Sequence, residues 1–432
     1  MKTSRARDPE TGKRVFLIIL MIFFIGCIGF TVWPLTGLYG SRPDWWGGNS
    51  AIRATSYAVF GAPAGSIGLM VVAHFLFKKK AVARGLQVGA LAAGIVLTGM
   101  CLPYFLVPWQ VGQAASREFA AARGNDWESR VHAPSDGPWL SSPYSIGIYY
   151  TGLPIDDSSF TKVLDVPFLV IGNDTFKFDA YVPVGTGPFP AIIFIHGGGW
   201  CGLDKDSMMG YQREYFASAG YVVFSIQYGA IGEKNRTRQY SMQEIMDNIG
   251  SFSDWLATPA NAATYKVDLT RCFVNGLSAG GHLSALVSVG RYNVSAWNPA
   301  VNLLGGVDFY GITDIRHWDK MSQAWLHDSG LFNDSVLTDF TVVDIFSPIT
   351  YVQTAGTDLN TSIPMLIFHG DADSVVDVNQ SRSFNTLCDA RGLKCVYIEM
   401  PRGKHVFEGN SKEAGAQISL WSMERFFQLC MG

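Results

Sequence analysis

Apolar and polar positions follow three different patterns along this chain. Residues 15–33 are apolar and uncharged for 19 positions, about one bilayer crossing. Similar runs occupy 56–77, closed by Lys78, Lys79 and Lys80, and 86–107, with Pro103 near its end and Trp109 at the expected interface. These runs predict three transmembrane helices, a membrane region over 15–109. An uncleaved anchor is preferred to a signal peptide, because the first run is long for a leader and no small-x-small cleavage site follows it. The polar tail 1–14 carries Lys2, Arg5, Arg7, Lys13 and Arg14. With the lysines after the second run, it is expected in the cytosol, and everything past the third run on the opposite side.

Residues 110–159 break that pattern. A short helix over 114–123 is followed by Pro134, Ser135, Asp136, Gly137 and Pro138, and the segment reads as a linker. From 160 to 432 strand-like and helix-like stretches alternate. Strands are expected at 168–171, 176–182, 191–195, 221–226, 272–274, 304–309, 365–368 and 396–400. Met242, Ile245, Met246, Ile249, Phe252, Trp255 and Leu256 recur at helical spacing, and a last helix over 418–429 carries Leu420, Trp421, Met423, Phe426 and Phe427. Such alternation predicts an α/β domain, a mostly parallel sheet with helices on both faces.

Composition narrows the function. Apolar residues make up 48% of the 432, which fits a membrane segment attached to a globular domain. The net charge is −3 and no basic stripe is interleaved with aromatics, so nucleic acid is excluded as a partner. Seven cysteines show no paired ligand spacing, which leaves no metal site to argue for. No feature sets an oligomeric state.

The chemistry gathers at Asn275-Gly276-Leu277-Ser278-Ala279-Gly280-Gly281-His282. It joins an apolar strand to a helix through Gly-x-Ser-x-Gly, a turn so sharp that side chains two before and two after its apex would collide. Alone the motif is weak: with 46 glycines it would arise by chance about 0.4 times. A second string, His196-Gly197-Gly198-Gly199-Trp200, would arise only about 0.01 times. Backbone amides of these three consecutive glycines, paired with that of Ala279, can form an oxyanion hole, worth about 3–4 kcal/mol of barrier per donor.

A serine nucleophile needs a base, and the base an orienting acid. With this elbow the chain order is serine, acid, histidine. Of eight histidines only His405, in the loop after the last strand, fits that order. His74 lies in an expected span, where it packs against a neighbouring helix. Asp371 and Asp373 both follow the strand 365–368. Asp373 is chosen because its place two residues further along the loop gives it reach toward a histidine. His282 is expected to bond in support of the site, and Trp200 either walls the acyl pocket or packs beneath the hole. The segment 317–346 is expected to form a small lid.

Residues from about 160 to 430 resemble an α/β-hydrolase of the carboxylesterase branch that holds hormone-sensitive-lipase-like and bacterial feruloyl or acetyl-xylan esterase-like enzymes. The resemblance rests on His196–Trp200, Gly276–His282, Tyr310-Gly311-Ile312-Thr313-Asp314, Ser347-Pro348-Ile349-Thr350, His369–Val376 and the loop at His405. It implies an eight-stranded α/β-hydrolase fold with Ser278 as nucleophile, His405 as base, Asp373 as its orienter, and the hole at Gly198, Gly199 and Ala279. It implies no cofactor and no metal. Two places depart from the pattern: Asp377 stands where a proline commonly follows the acid loop, and Gln227-Tyr228-Gly229 lacks the usual aspartate and arginine. Nothing in the first 130 residues takes part in the resemblance.

Six Asn-x-Ser/Thr sequons, at Asn173, Asn235, Asn293, Asn333, Asn360 and Asn379, all fall in this domain. Chance would give about two. They favour a lumenal or extracellular glycoprotein, in which Cys388 and Cys395 could pair as a disulfide. The expectation is a membrane-anchored serine carboxylesterase acting on a small-molecule or lipid ester. Its rivals are a prenylcysteine methylesterase-like enzyme, a peptidase-type hydrolase, and a catalytically silent hydrolase fold serving as a binding module.

Overall fold

In the computed structural model the chain divides into two compact units, Met1–Trp109 and Gln110–Gly432. The structure describes residues 16–22, 24–25, 65–72, 74–75, 84, 87–92, 95–96, 103–133, 137–294, 297–318, 331, 341–354 and 363–432. In the first unit, the helical stretches 16–22, 65–72 and 87–92 fall within the three apolar runs, and Phe16, Ile22, Ile67, Val71, Val88 and Leu91 are exposed on them. Among the described residues no helix is long and apolar enough to cross a membrane. The stretches that would complete the runs 15–33, 56–77 and 86–107 lie outside the described residues, as does the tail 1–14.

The second unit is built on one eight-stranded sheet. Its strands are β1 (Phe160–Ile171), β2 (Asp174–Pro183), β3 (Phe189–Ile195), β4 (Val222–Ile226), β5 (Val267–Leu277), β6 (Leu303–Phe309), β7 (Met365–Gly370) and β8 (Cys395–Met400). They lie in the order β1-β2-β4-β3-β5-β6-β7-β8. The first two pairings are antiparallel and the other five parallel. This is the α/β-hydrolase order. Each expected strand is present, and β1 and β5 extend well beyond the apolar stretches that announced them.

From Pro103 onward the α-helices among the described residues are α1 (Pro103–Arg123), α2 (Ile146–Thr151), α3 (Gly210–Ser218), α4 (Met242–Ala257), α5 (Pro259–Thr264), α6 (Ala279–Val294), α7 (Thr341–Ile345), α8 (Pro348–Thr354), α9 (Asn379–Ala390) and α10 (Ala414–Met431). Alternate strand residues divide between two faces. Phe273 of β5 meets Phe427 of α10 at 4.4 Å, and Phe427 meets Phe216 of α3 at 5.3 Å. Val274, one residue on, joins the opposite cluster with Ile245, Ile249 and Phe252 of α4 and Leu283, Leu286 and Val287 of α6. The start of α4 is fixed by a capping box. Ser241 Oγ accepts the Glu244 amide, and Glu244 Oε2 accepts the Ser241 amide at 2.8 Å.

Two expectations change. Residues 110–159, expected as a linker, lie within the second unit. Phe119 and Trp127 stack at 5.0 Å, and both meet the edge or face of Trp421 in α10 at 6.2 Å. Arg425 lies over Trp139 at 4.1 Å and donates to the Leu140 carbonyl at 2.7 Å. Burial of Phe119 and Trp127 outweighs the turn-rich composition that follows them. The second change concerns Cys388 and Cys395, which are free, buried thiols within hydrogen-bonding reach of each other rather than a disulfide.

Candidate active site

The parallel registers bring four strand ends level. Ile195 of β3 lies beside Gly276 of β5, Gly276 beside Asp308 of β6, and Phe309 beside Phe368 of β7. The loops leaving these carboxyl ends therefore converge on one patch, the usual location of sites in such sheets.

Ser278 stands alone between β5 and α6 with φ +56, a left-handed conformation that costs a non-glycine residue about 1–2 kcal/mol. Its amide donates to the Phe309 carbonyl at 2.8 Å, and its carbonyl accepts the His282 amide at 2.9 Å. These bonds hold the strained turn and leave the half-buried hydroxyl at its apex. Beside it runs the glycine loop. A Cβ placed on Gly197 would sit 3.4 Å from Ser278 Cβ, so the loop passes against the serine. Gly198 has φ +113, and its carbonyl turns away to accept the Gly202 amide at 2.7 Å. The amides of Gly198, Gly199 and Ala279 donate to no acceptor among the described residues.

Two further loops supply the acid and the base, and they are laced together. The Ala372 amide donates to the Gly403 carbonyl at 3.0 Å and the Asp371 amide to the Met400 carbonyl at 3.1 Å, while the Asp371 carboxylate accepts the Arg402 amide. Asp371 thus shapes the loop from an exposed position. Asp373 points inward. Its Oδ1 accepts the amides of Val375 at 2.7 Å and Val376 at 3.0 Å, and its Oδ2 lies 2.7 Å from His405 Nδ1. His405 Nε2 lies 2.9 Å from Ser278 Oγ. Burial works to raise the Asp373 carboxyl, but the bonds from His369 and His405 outweigh it and hold the group well below the usual carboxylate range. An ionised Asp373 requires the Nδ1 proton on His405, which leaves Nε2 as an acceptor for the serine hydroxyl.

The support around the glycine loop is polar and buried. Trp200 packs fully inside and donates its indole N–H to His282 Nδ1 at 3.1 Å. His282 Nε2 then donates to the Phe346 carbonyl at 2.7 Å. Burial depresses His282 to about 4, so the ring is neutral and this tautomer is fixed. On the other side of the loop, His196 Nε2 meets Glu233 Oε1 at 3.1 Å. Glu233 also accepts the Tyr228 amide at 2.7 Å and Arg236 Nε at 2.8 Å. Neither Glu233 nor Arg236 carried any signal in the sequence, because only the fold brings them under the glycines. Most of the expected lid over 317–346 lies outside the described residues, and among the described residues no cluster of side chains could hold a metal ion.

Residues 178–387 match the family model described as BD-FAE. A probable carboxylic ester hydrolase, LipM of Mycobacterium tuberculosis, is 25% identical over 248 residues, 54% of this chain and 54% of that protein. Esterase LipC of the same organism is 28% identical over 235 residues, 52% and 54% of the two chains. A probable isoprenylcysteine alpha-carbonyl methylesterase of Arabidopsis thaliana is 25% identical over 324 residues, 67% of this chain and 62% of that one. The chain thus spans about half the length of the first curated relatives it matches, 54% for LipM. Among solved structures, apo Thermogutta terrifontis esterase 2 is 21% identical with a TM-score of 0.49, covering 62% of this chain and 94% of its own.

The neutral state of His282 has a measurable consequence. An unfolded chain takes up this proton near the ordinary value of 6.5, whereas the folded chain resists it down to about 4. Folded stability is therefore whole above pH 6.5 and falls as pH drops from 6.5 toward 4. In Glu- or Gln-type replacements only the amide keeps both bonds, so His282→Gln should flatten this part of the Tm-against-pH curve. An unchanged slope would mean that His282 does not titrate as its burial requires.

Proposed function

We propose that this protein is a membrane-anchored serine carboxylesterase. The observation that carries the reading is the contact chain Asp373–His405–Ser278, 2.7 and 2.9 Å long, beside backbone amides with no acceptor among the described residues. His405 Nε2 takes the proton as Ser278 Oγ attacks the ester carbonyl, and Asp373 balances the imidazolium that forms. The amides of Gly198, Gly199 and Ala279 receive the oxyanion. His405 then passes its proton to the leaving alcohol, giving an acyl-enzyme and a free alcohol. Water, deprotonated by the same nitrogen, attacks the acyl-enzyme, releases the acid and returns the serine hydroxyl. Neither a metal nor an organic cofactor enters these steps.

Names of relatives support ester bonds as the target and divide over which ester. The match to the Arabidopsis methylesterase covers more of this chain than those to LipM and LipC. That favours a second reading, in which the substrate is the methyl ester of a prenylated cysteine. Full-length chain and its Ser278→Ala variant, assayed on acetyl to decanoyl chromogenic esters and on farnesylcysteine methyl ester, separate the two. The first reading expects turnover across the acyl series, with the variant down by about 10⁴-fold or more. Selective turnover of the methyl ester would move the assignment to the second reading. Equal inertness of both chains on every ester would remove the esterase reading and favour a binding module.

The anchor is proposed to be the runs 15–33, 56–77 and 86–107, with the hydrolase domain on the lumenal or extracellular side. Their length without charge supports this, as does the exposure of Asn173, Asn235 and Asn379 within sequons. In a glycosylating host the chain should stay in the membrane pellet after alkaline carbonate and gain mobility with an endoglycosidase. Release into the supernatant would sink the anchor, and an unchanged mobility the proposed side.

A further inference from the structure

Three residues beyond His405, the same loop buries a carboxyl completely, that of Glu408. Its Oε1 accepts the phenol hydrogen of Tyr310, and its backbone carbonyl accepts the Tyr211 hydroxyl at 2.6 Å. Its Oε2 has no hydrogen-bond partner among the described residues. A buried acid left half satisfied is costly and calls for an explanation. Burial pushes Glu408 up to about 8, so it is mostly protonated at neutral pH. Burial also keeps Tyr310 a neutral phenol and hence the donor of the pair. The groups facing them are Tyr211 from α3, Asp373 from the loop after β7, His369 near the end of β7 with its ring 6.4 Å from that of Tyr310, and His405 from Glu408's own loop.

Tyr310 is held with equal firmness. It follows β6 at φ +44, a region where bulky residues are rare, and its amide donates to the Phe368 carbonyl at 2.7 Å. This turn brings the phenol ring against the imidazole. The ring centroids of Tyr310 and His405 lie 4.5 Å apart with the planes tilted by 54°, and Phe407 meets the Tyr310 ring edge-on at 5.8 Å. The ring thus has His405 beside it and Glu408 at its tip.

We propose that Tyr310 and Glu408 form a positioning pair for His405: the ring supports the imidazole and favours its cationic form, and the carboxyl anchors the ring. The inference rests on the esterase reading of the site. In that reaction His405 is neutral before attack and an imidazolium beside the tetrahedral intermediate. An aromatic ring within about 6 Å attracts a cation, so its contribution grows along the reaction. A contribution of that kind raises kcat and leaves KM nearly alone. The neutral carboxyl also explains the choice of anchor. Protonated Glu408 holds the phenol without placing a second anion beside Asp373, which would compete for the imidazolium.

The test uses the full-length chain, with rates counted per serine titrated by a fluorophosphonate. Tyr310→Leu should lower kcat by about 10-fold, keep KM within about 2-fold, and move the acidic limb of kcat/KM down by about half a pH unit. Tyr310→Phe keeps the ring but loses the anchor and should cost about 3-fold in kcat. Glu408→Leu should do the same, and Glu408→Gln, which still accepts from the phenol, should restore most of that loss. An unmoved acidic limb in Tyr310→Leu, or a Gln variant as impaired as the Leu variant, overturns the proposal. If Tyr310→Leu yields no titratable serine, Tyr310→Phe and Glu408→Gln decide it, and full kcat in Tyr310→Phe overturns it. Wild type active and Ser278→Ala inactive, with every Tyr310 and Glu408 variant normal, refutes the positioning pair alone. An inert wild type refutes the esterase reading and the pair together.

Discussion

At Gly280 a Cβ would lie 2.1 Å from the carbonyl oxygen of Ile195, and at Gly276 one would lie 1.9 Å from that of Gly280. Two backbones pass here at a distance no side chain permits. That approach sets the helix α6 directly against the end of β3, and with it the serine against the glycine loop. Ser278 absorbs the geometric cost by taking a left-handed φ of +56. Hydrogen bonds to Phe309 and His282 offset the strain. Once the elbow is fixed, the sheet register fixes the rest, because β6 and β7 end level with it and their loops have only short distances to cover.

The electrostatics of the patch follow from which acids the fold buries with partners and which without. Asp373 has two backbone amides and the rings of His369 and His405, and stays ionised despite burial. Burial raises Asp308, in the adjoining strand, to about 6, and Glu408 to about 8. His282 is depressed to about 4 by burial. The result is a surrounding in which Glu408 and His282 are mostly uncharged at neutral pH, while the ionised Asp373 faces the imidazole that contacts the serine. Environments that push neighbouring acids apart in this way are how a protein assigns each a separate task.

Much of this was legible in the sequence, for identifiable reasons. Strands came through where apolar residues run continuously, as in β3 and β7, because a parallel strand is buried on both faces. The extent of β1 did not, since its first residues are mostly exposed and interrupt the apolar run with Thr161, Lys162 and Asp165. The side chains of Ser278, Asp373 and His405, chosen from turn chemistry and chain order, meet in space. The buried acids Glu233 and Glu408 could not be found that way. A glutamate announces solvent in a sequence, and only the packing of distant elements withdraws it from water. The segment 110–159 misled for the converse reason: its prolines and serines describe turns, while Phe119, Trp127 and Trp139 find a core through α10. The membrane runs rest on hydropathy, which records solubility in lipid and not the packing that a site requires.

The central claim is that Ser278 is made nucleophilic by His405. The most direct measurement is the intact mass and peptide map of the full-length chain after a fluorophosphonate, beside His405→Ala. The account predicts one adduct, on the peptide carrying Ser278, formed at least about 100-fold more slowly in the variant. An adduct on another residue, or equal rates in the two chains, would contradict it.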